Sequence, residues 1–388
     1  MIQPQHLDRH HLQRDQQQDH LEQRVLLMPT ASTPYAPSSS SSSSSSTASP
    51  IIPPPWQAAI DALFSYRPEV PDRFTCVVCG PKNSGKSTFC RLLLAQTHSP
   101  ILLLDTDLNR PEFALPGIVS LHLANPGQPV QCLGAIFLGE DSPNRVPEDF
   151  LQAIGELILL TKVPNVRNLS LVVNTMGWVS GLAQDLLEAI LQHIEPTDIV
   201  QIVPELKLEK LGSLIPASLA SSVIKWTLNP AVENRQRESS DDVQARLADL
   251  FFKAPTFCVG LNRVKITLQK SLADSQLPVA FSLLVLNANL VGLLRSGPEP
   301  RAQRFIAIGL VHLVDLERQC VVLRIPNGKL SALHSVEELI VASSASFSPT
   351  QFPTRSCAGT RPYVCLKSTL VGIDVVRGDA PKRKRLDT

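Results

Sequence analysis

The sequence lacks several features that would place it in common classes of protein. No apolar run approaches about 18 residues without a charged residue or a breaker, so the sequence predicts no membrane span. Its N-terminus has no early apolar core, which argues against a secretory signal. Lys and Arg number 36 against 35 Asp and Glu, a net charge of +1. Such a balance gives no global attraction to nucleic acid, so any contact with RNA or DNA must come from a local patch.

The eight cysteines show no spacing that indicates a disulfide framework. Cys76 and Cys79 form a C-x-x-C pair, but a zinc site needs a second pair and a redox motif normally opens a helix. Both thiols instead lie within the apolar run Phe74–Cys79. We therefore predict two buried strand cysteines in an intracellular protein with reduced thiols.

Changes in composition divide the chain into successive parts. The first holds Gln16–Gln18 and the serine run Ser38–Ser46, and it can bury too little apolar surface to fold. The predicted parts are a disordered tail at 1–50, a linker with a short helix (Gln57–Phe64) at 51–73, an α/β domain at 74–255, a β-rich domain at 256–375 and a basic tail at 376–388.

Apolar strands alternate with amphipathic helices after residue 73, which is typical of a doubly wound, mostly parallel α/β sheet. The predicted strands are Phe74–Cys79, Ile101–Leu104, Cys132–Leu138, Leu169–Val173 and Asp198–Val203. The predicted helices are Lys86–Gln96, Pro147–Leu160 and Gly181–Ile194. Beyond residue 255 the predicted strands are Val279–Leu294, Phe305–Val314 and Cys320–Ile325.

Gly80 to Ser87 match the phosphate-loop pattern G-x-x-x-x-G-K-[ST]. Glycines in this pattern let backbone N–H groups surround phosphates, and the following helix directs its N-terminal dipole at the same anion. We expect Lys86 to reach the β- and γ-phosphates and Ser87 to bind Mg²⁺. A glycine turn that binds nothing is the alternative. The predicted nucleotide-binding residues are Gly80, Pro81, Lys82, Asn83, Ser84, Gly85, Lys86, Ser87 and Thr88.

Asp105 and Asp107 follow the second predicted strand. Ligands of open α/β sheets bind outside the carboxyl ends of the strands, so either aspartate could face the phosphates. One could hold Mg²⁺, for which we favour Asp105, or act as a base on an attacking hydroxyl. Solvated turn residues are the alternative.

The α/β region contains no N-K-x-D motif and no long apolar strand that ends in Asp-Glu, which argues against GTP switches and transport ATPases. Another strand ends at Asn174, and Trp178 follows on a loop. An aromatic side chain beside a phosphate site can stack on a nucleic-acid base. A core tryptophan is the alternative.

The segments Asp105–Phe113, Pro116–Leu121 and Asn174–Gly181 resemble the eukaryotic polynucleotide 5′-hydroxyl kinases, as does the loop Gly80–Phe89. Among these, the sequence is most similar to the branch that acts in pre-ribosomal RNA processing. The resemblance runs from about residue 74 to 255 and is weaker beyond. It implies an enzyme that uses ATP and Mg²⁺ to phosphorylate the 5′-hydroxyl end of RNA or DNA.

The resemblance also implies roles for individual residues. Asp107 falls on the base of the family's D-x-G-Q motif. Thr175, Gly177 and Trp178 fall on the T-x-G-W clasp that holds the nucleic-acid end. A lid near 230–252 would supply a catalytic arginine, with Arg235 as the first choice and Arg237 as the second, before a helix at Asp241–Phe252.

The sequence departs from the family pattern at three places. The D-x-G-Q motif reads Asp107-Leu108-Asn109-Arg110, and the position of a second lid arginine reads Ser or Gln. Relatives usually carry a folded domain before the phosphate loop, where this sequence has its Gln- and Ser-rich tail and about 20 residues with structural character. We therefore interpret the chain as a divergent or truncated member.

The basic cluster Pro381–Arg385 suits nuclear import or a phosphate contact, with a plain solvated tail as the alternative. The resemblance implies the nucleus and nucleolus as the location, and an rRNA-processing endonuclease as the partner. The leading hypothesis is an RNA 5′-hydroxyl kinase. The rivals are an ATP-binding scaffold without turnover and a P-loop ATPase unrelated to RNA.

Overall fold

The computed structural model describes residues 52–65, 73–177, 181–204, 223–231, 249–251, 253–268, 286, 289–326, 330–346, 364–369 and 372–377. The chain forms two compact units. The first consists of Met1–Ala114, Val119–Ile136 and Pro147–Glu233, and the second of Leu115–Ile118, Phe137–Val146 and Asn234–Thr388. No helix in the described part of the chain has the length and apolar character needed to cross a membrane.

A seven-stranded sheet, in the order β4-β3-β2-β5-β1-β6-β7, organises the α/β region. Its strands are β1 (Thr75–Cys79), β2 (Ile101–Asp105), β3 (Ile118–Ala124), β4 (Gln131–Phe137), β5 (Ser170–Asn174), β6 (Asp198–Ile202) and β7 (Ile224–Leu228). The pairs β2–β5, β5–β1, β1–β6 and β6–β7 are parallel, whereas β3 runs antiparallel to β2. The predicted mostly parallel α/β sheet is confirmed.

The main helices of this region are α1 (Pro54–Phe64), α2 (Lys86–Gln96), α3 (Pro147–Thr161) and α4 (Leu182–Ile194). Each buries one apolar stripe. In α4 the stripe is made of Ala183, Leu186, Leu187, Ile190 and Leu191, which is the i, i+3, i+4 spacing of a helix face. Burial of each large apolar side chain contributes about 1.5–3 kcal/mol relative to exposure. The helix ends where Glu195 adopts the left-handed conformation.

The five strands predicted in this region are present with shifts of one residue at their ends, and the predicted bounds of α2 are confirmed. Strands β3 and β7 were not predicted. In β3, Ser120 and His122 interrupt the apolar pattern although both are buried. Strand β7 lies at the edge of the sheet and exposes Ile224, Lys225 and Thr227, so its sequence shows no apolar run.

Cys76 and Cys79 lie in β1 and are buried, as predicted. Burial raises the pKa of the Cys79 thiol to about 12. The thiol therefore stays protonated at neutral pH, and because the thiolate is the nucleophile and metal ligand, the C-x-x-C pair acts as apolar core.

The second unit contains a six-stranded sheet in the order β8-β12-β11-β10-β13-β9. Its strands are β8 (Thr256–Gly260), β9 (Lys265–Leu268), β10 (Asn289–Arg295), β11 (Phe305–Asp315), β12 (Cys320–Arg324) and β13 (Val336–Ser346), with the short helices α5 (Arg301–Arg304) and α6 (Leu330–Leu333). β14 (Val364–Thr369) and β15 (Gly372–Arg377) form an antiparallel pair. Val291, Leu293, Val311 and Leu323 are central in the core of the larger sheet. The predicted β-rich C-terminal region is confirmed.

Several sequence predictions fall wholly or partly outside the described residues. The tail at 1–50, Trp178, Arg235, Arg237 and the basic cluster Pro381–Arg385 are among them. Of the predicted helix Asp241–Phe252, residues 249–251 are described and are helical. Of the predicted strand Val279–Leu294, the described residues are Leu286, which lies in a turn, and Asn289–Leu294, which belong to β10.

Candidate nucleotide-binding and catalytic site

The predicted phosphate loop connects the carboxyl end of β1 to the first residue of α2. Gly80 and Gly85 adopt φ angles of 148° and 104°, and Asn83 has a φ of 65°. Such angles are easy for glycine and are best tolerated by asparagine among the other residues. Since α2 begins at Lys86 with Gly85 as its N-cap, the loop lies at the positive end of the helix dipole.

The side chain of Lys86 lies within the loop and is only 5% exposed. Its Nζ donates a hydrogen bond to the carbonyl oxygen of Pro81 at 3.1 Å. Burial lowers the pKa of Lys86, and the nearby Asp107 carboxylate acts in the opposite direction. An ammonium group has three donors, so this bond leaves Lys86 with donors for a phosphate.

Three side chains meet beside the loop at the ends of adjacent strands. β2 and β5 pair in a register that places Asp105 opposite Asn174. The Asn174 Nδ2 donates to Asp105 Oδ1 at 3.0 Å and to Ser87 Oγ at 3.4 Å. Both Asp105 and Asn174 are fully buried. Asn174 therefore links the predicted metal ligands Ser87 and Asp105.

The Asp105 carboxylate is held from two directions. Oδ1 also accepts the backbone N–H of Asp107 at 3.2 Å, and Oδ2 accepts the N–H of Glu112. Burial raises the pKa of Asp105 to about 7, against the lowering effect of the Glu112 hydrogen bond. A rigid, desolvated carboxylate at this position is suited to bind a cation rather than to reach a substrate hydroxyl.

The donor set at this position fits Mg²⁺. Asn174 Oδ1 is a buried oxygen without a hydrogen-bond partner among the described residues. The Asp105 carboxylate and the Ser87 hydroxyl, which Asn174 Nδ2 joins, are hard oxygen ligands of the kind that Mg²⁺ prefers. The described residues contain no group of three or more His, Cys, Asp or Glu that could hold a metal alone. A phosphate-loop magnesium does not need one, because waters and phosphate oxygens complete its shell.

Asp107, the predicted base, lies on the loop after β2 and is half-buried. Its Oδ1 accepts the backbone N–H groups of Asn109 and Arg110 at 3.1 and 3.2 Å. Asn109 does not adopt a positive φ, so glycine is not required where the family's D-x-G-Q motif has it. The altered motif therefore forms a turn that its own aspartate closes.

The predicted clasp begins directly after β5. The Thr175 hydroxyl donates to the Val78 carbonyl at 2.9 Å, and Thr175 is buried, so this side chain fixes the clasp to β1. Gly177 lies against the phosphate loop, since a Cβ at that position would be 2.7 Å from the Lys82 Cα. The structure thus brings Thr175 and Gly177 to the loop, while Trp178 lies outside the described residues.

Asn174 has no predicted role, although it ends a predicted strand and begins the segment Asn174–Gly181 that carries the resemblance. A local signal existed, because Asn174 is a polar residue at the carboxyl end of the apolar strand β5. Its position opposite Asp105 depends on strand pairing across 69 residues of sequence. Local patterns do not specify that pairing.

A strand, a glycine loop with a buried lysine, a helix and a carboxylate at the end of the neighbouring strand define a P-loop nucleotide-binding domain. The family profile described as mRNA cleavage and polyadenylation factor CLP1 P-loop matches residues 80–254. The resemblance to polynucleotide 5′-hydroxyl kinases is confirmed for this domain by curated relatives that carry that name.

The chain is 35% identical over 147 residues to polynucleotide 5′-hydroxyl-kinase NOL9 of Arabidopsis thaliana, a match that covers 32% of this chain and 39% of the relative. It is 32% identical over 169 residues to the nol9 kinase of Dictyostelium discoideum, covering 39% and 24%. It is 30% identical over 152 residues to the GRC3-type kinase (grc3) of Schizosaccharomyces pombe, covering 33% and 20%. The chain thus spans less than half the length of each of these relatives.

Among solved structures, the fold is similar to that of wild-type Clp1p in its complex with Pcf11p (454–563). The TM-score is 0.55 at 15% sequence identity, with 74% of this chain and 77% of the other covered. At this identity the likeness concerns the fold alone.

Proposed function

We propose that this chain is an ATP-dependent polynucleotide 5′-hydroxyl kinase that phosphorylates the 5′-hydroxyl end of RNA during the processing of ribosomal RNA precursors. The observation that carries the proposal is the contact between the clasp and the phosphate loop at Gly177 and Lys82. A nucleic-acid end held by this clasp would lie beside the transferable phosphate of ATP. By resemblance, the clasp Thr175–Trp178 argues against a P-loop ATPase unrelated to RNA.

In the proposed reaction the 5′-oxygen of the RNA attacks the γ-phosphorus of ATP. A bond forms between these two atoms while the bond from the γ-phosphorus to the β,γ-bridging oxygen breaks, and ADP leaves with the electron pair. Asp107 accepts the proton of the 5′-hydroxyl, through the carboxylate oxygen that does not close its turn. The ammonium of Lys86 and, by resemblance, the guanidinium of Arg235 neutralise charge on the transferring phosphoryl group.

Ser87 and Asp105 would hold Mg²⁺, which neutralises and orients the phosphates when bound. Asn174 positions these two ligands in this proposal, because its Nδ2 donates to both Ser87 and Asp105 and so fixes their separation. The loop from Gly80 to Thr88 binds the phosphates through its backbone N–H groups.

The test is transfer of labelled γ-phosphate from ATP to a 5′-hydroxyl RNA oligonucleotide. We expect transfer by the wild type and its loss, by about a hundredfold or more, in both Lys86→Ala and Asp107→Asn. The matched control is Lys162→Ala, which removes an exposed lysine just after α3. Wild-type transfer that persists unchanged in Asp107→Asn would contradict the assignment of the base.

One observation favours a second function, an ATP-binding scaffold without turnover. The Asp107 Oδ1 is already engaged by two backbone N–H groups of its own turn, which ties the carboxylate to the loop. This function predicts ATP binding without phosphate transfer, even after addition of an rRNA-processing endonuclease. Transfer in that mixture, lost in Asp107→Asn, would exclude it.

By the same resemblance we propose an rRNA-processing endonuclease as the partner and the nucleolus as the location. The kinase would then phosphorylate the 5′-hydroxyl that the nuclease leaves. Replacement of the four basic residues of Pro381–Arg385 by alanine tests the import role of this cluster. We expect the full chain with this change to lose its nuclear accumulation, and retention in the nucleolus would contradict the role.

A further inference from the structure

Helix α1 precedes the segment that the family profile matches, yet it belongs to the same compact unit as the phosphate loop. It begins with Pro54 and Pro55, whose missing N–H groups cost nothing at the first helical positions. Its buried face consists of Trp56, Ala59, Ile60 and Leu63. This face packs into the core cluster that also holds Phe89 and Leu93 of α2.

Trp56 lies directly beneath the turn from the phosphate loop into α2. A Cβ built at Gly85 would lie 2.8 Å from the indole Cη2 of Trp56, closer than any side chain allows. Trp56 is 1% exposed and makes an edge-to-face contact with Phe89, with ring centroids 5.5 Å apart. The indole therefore supports the backbone of Gly85, the residue whose left-handed conformation starts the helix.

Two polar contacts hold the indole and its helix in place. The Trp56 Nε1 donates to the carbonyl oxygen of Asn229, directly after β7, at 2.8 Å. Gln57 and Gln96 exchange a pair of amide hydrogen bonds of 2.7 and 3.1 Å. Helix α1 thus contacts both ends of α2. Trp56 contacts the first turn of α2, and Gln57 contacts Gln96, the last residue of α2.

We propose that Trp56 is a positioning residue of the nucleotide site, which keeps the phosphate loop in its phosphate-binding shape through contact with Gly85. A glycine-rich loop has many conformations, and fixing it before the ligand arrives lowers the entropic cost of binding. The proposal rests on the proposed function only in taking ATP as the nucleotide. It makes α1 a part of the nucleotide site.

The experiment measures the Kd of the purified full chain for ATP without RNA, beside its melting temperature. Trp56→Leu removes the ring beneath Gly85, and Trp56→Phe keeps an aromatic ring but loses the N–H donor. The control is Leu63→Ala, which creates a cavity in the same buried face of α1. We expect Trp56→Leu to raise the Kd about tenfold and Leu63→Ala to leave it within about twofold, although both lower the melting temperature.

An unchanged Kd in Trp56→Leu would overturn the proposal, and so would an equal rise in Leu63→Ala, which would indicate general destabilisation. If Trp56→Leu does not fold, Trp56→Phe decides on the same criterion, with an expected rise of about threefold. A wild type that binds ATP but transfers no phosphate overturns the kinase function and leaves this test intact. A wild type that binds no ATP overturns both.

Discussion

The seven-stranded and six-stranded sheets differ in where their buried polar side chains lie. In the first sheet Asp105, Asn174 and Thr175 lie together at the carboxyl ends of β2 and β5, next to the buried Lys86. In the six-stranded sheet of the second unit the core cluster is made of branched apolar residues such as Val311 and Leu323, and Asn289 of β10 is a buried polar residue outside that cluster. Burial of a polar group costs free energy unless it is compensated, so a concentration of such groups indicates a site that function retains.

The largest effect that we expect comes from a cavity-creating substitution in the apolar core of the six-stranded sheet. We expect Leu293→Ala in β10 to lower the free energy of unfolding by about 3 kcal/mol, because Leu293 is fully buried and its truncation leaves a cavity. Denaturant titration measures the change. The exposed Leu313→Ala in β11 is the control, with an expected change within about 0.5 kcal/mol. Equal losses in the two variants would show that the core assignment is wrong.

His122 in β3 tests the comparison, because it is a buried titratable group away from the carboxyl ends of β2 and β5. Burial lowers its pKa from 6.5 to about 4. Between these values the unfolded state takes up a proton that the folded state does not, so stability falls as the pH drops from about 6.5 to 4. The total loss is about 3 kcal/mol at most.

The measurement is the free energy of unfolding against pH for the wild type and His122→Gln. Asp105 titrates in the same window with the opposite sign, since its raised pKa of about 7 makes stability fall as the pH rises. The contribution of Asp105 cancels when the free energy of unfolding of His122→Gln is subtracted from that of the wild type. We expect this difference in free energy to change steadily between pH 6.5 and 4 and to be constant above pH 6.5. A flat difference would contradict the buried, neutral state of His122.

Asn174→Ala tests whether a buried asparagine at the proposed site matters more for phosphate transfer than a buried asparagine elsewhere. We expect kcat/KM for phosphate transfer to fall about a hundredfold, equivalent to about 2.7 kcal/mol, because Ser87 and Asp105 lose their shared donor. Binding of ATP with Mg²⁺ should weaken more than binding of ATP without it. The matched control is Asn289→Ala, which removes the same buried side chain from β10. A comparable loss of phosphate transfer in Asn289→Ala would contradict the assignment of a functional site to the buried polar residues of the first sheet.

The smallest effect concerns the ion pair between Arg91 of α2 and Glu112, whose Nε and Oε1 lie 3.1 Å apart. Arg91 is partly exposed, so we expect Arg91→Ala to lower the free energy of unfolding by only about 0.5–1 kcal/mol. The difference from wild type should shrink in about 1 M salt, where the Debye length is short. A salt-independent loss would instead indicate apolar packing of the arginine stem.

Much of the first unit could be predicted from sequence because its signals are local. The bounds of α2 follow from Gly85 before it and from the spacing of its apolar residues. Strand β7 was not predicted because its exposed residues give the sequence no apolar pattern. The contacts of Asn174 with Asp105 and of Trp56 with Gly85 could not be predicted for another reason. Each joins segments that are distant in the chain, and they meet only when the sheet and α1 have formed.

The pairing of Asp105 with Asn174 also bears on the order of events in folding. Residues 69 positions apart must meet before these two side chains touch, and contacts of such long sequence separation form slowly. A chain in which β5 has not yet joined β2 cannot assemble the proposed magnesium position. A ligand that binds only the assembled state stabilises it by mass action. The time at which Mg²⁺-dependent ATP binding appears during refolding would therefore report when β2 and β5 pair in the central sheet.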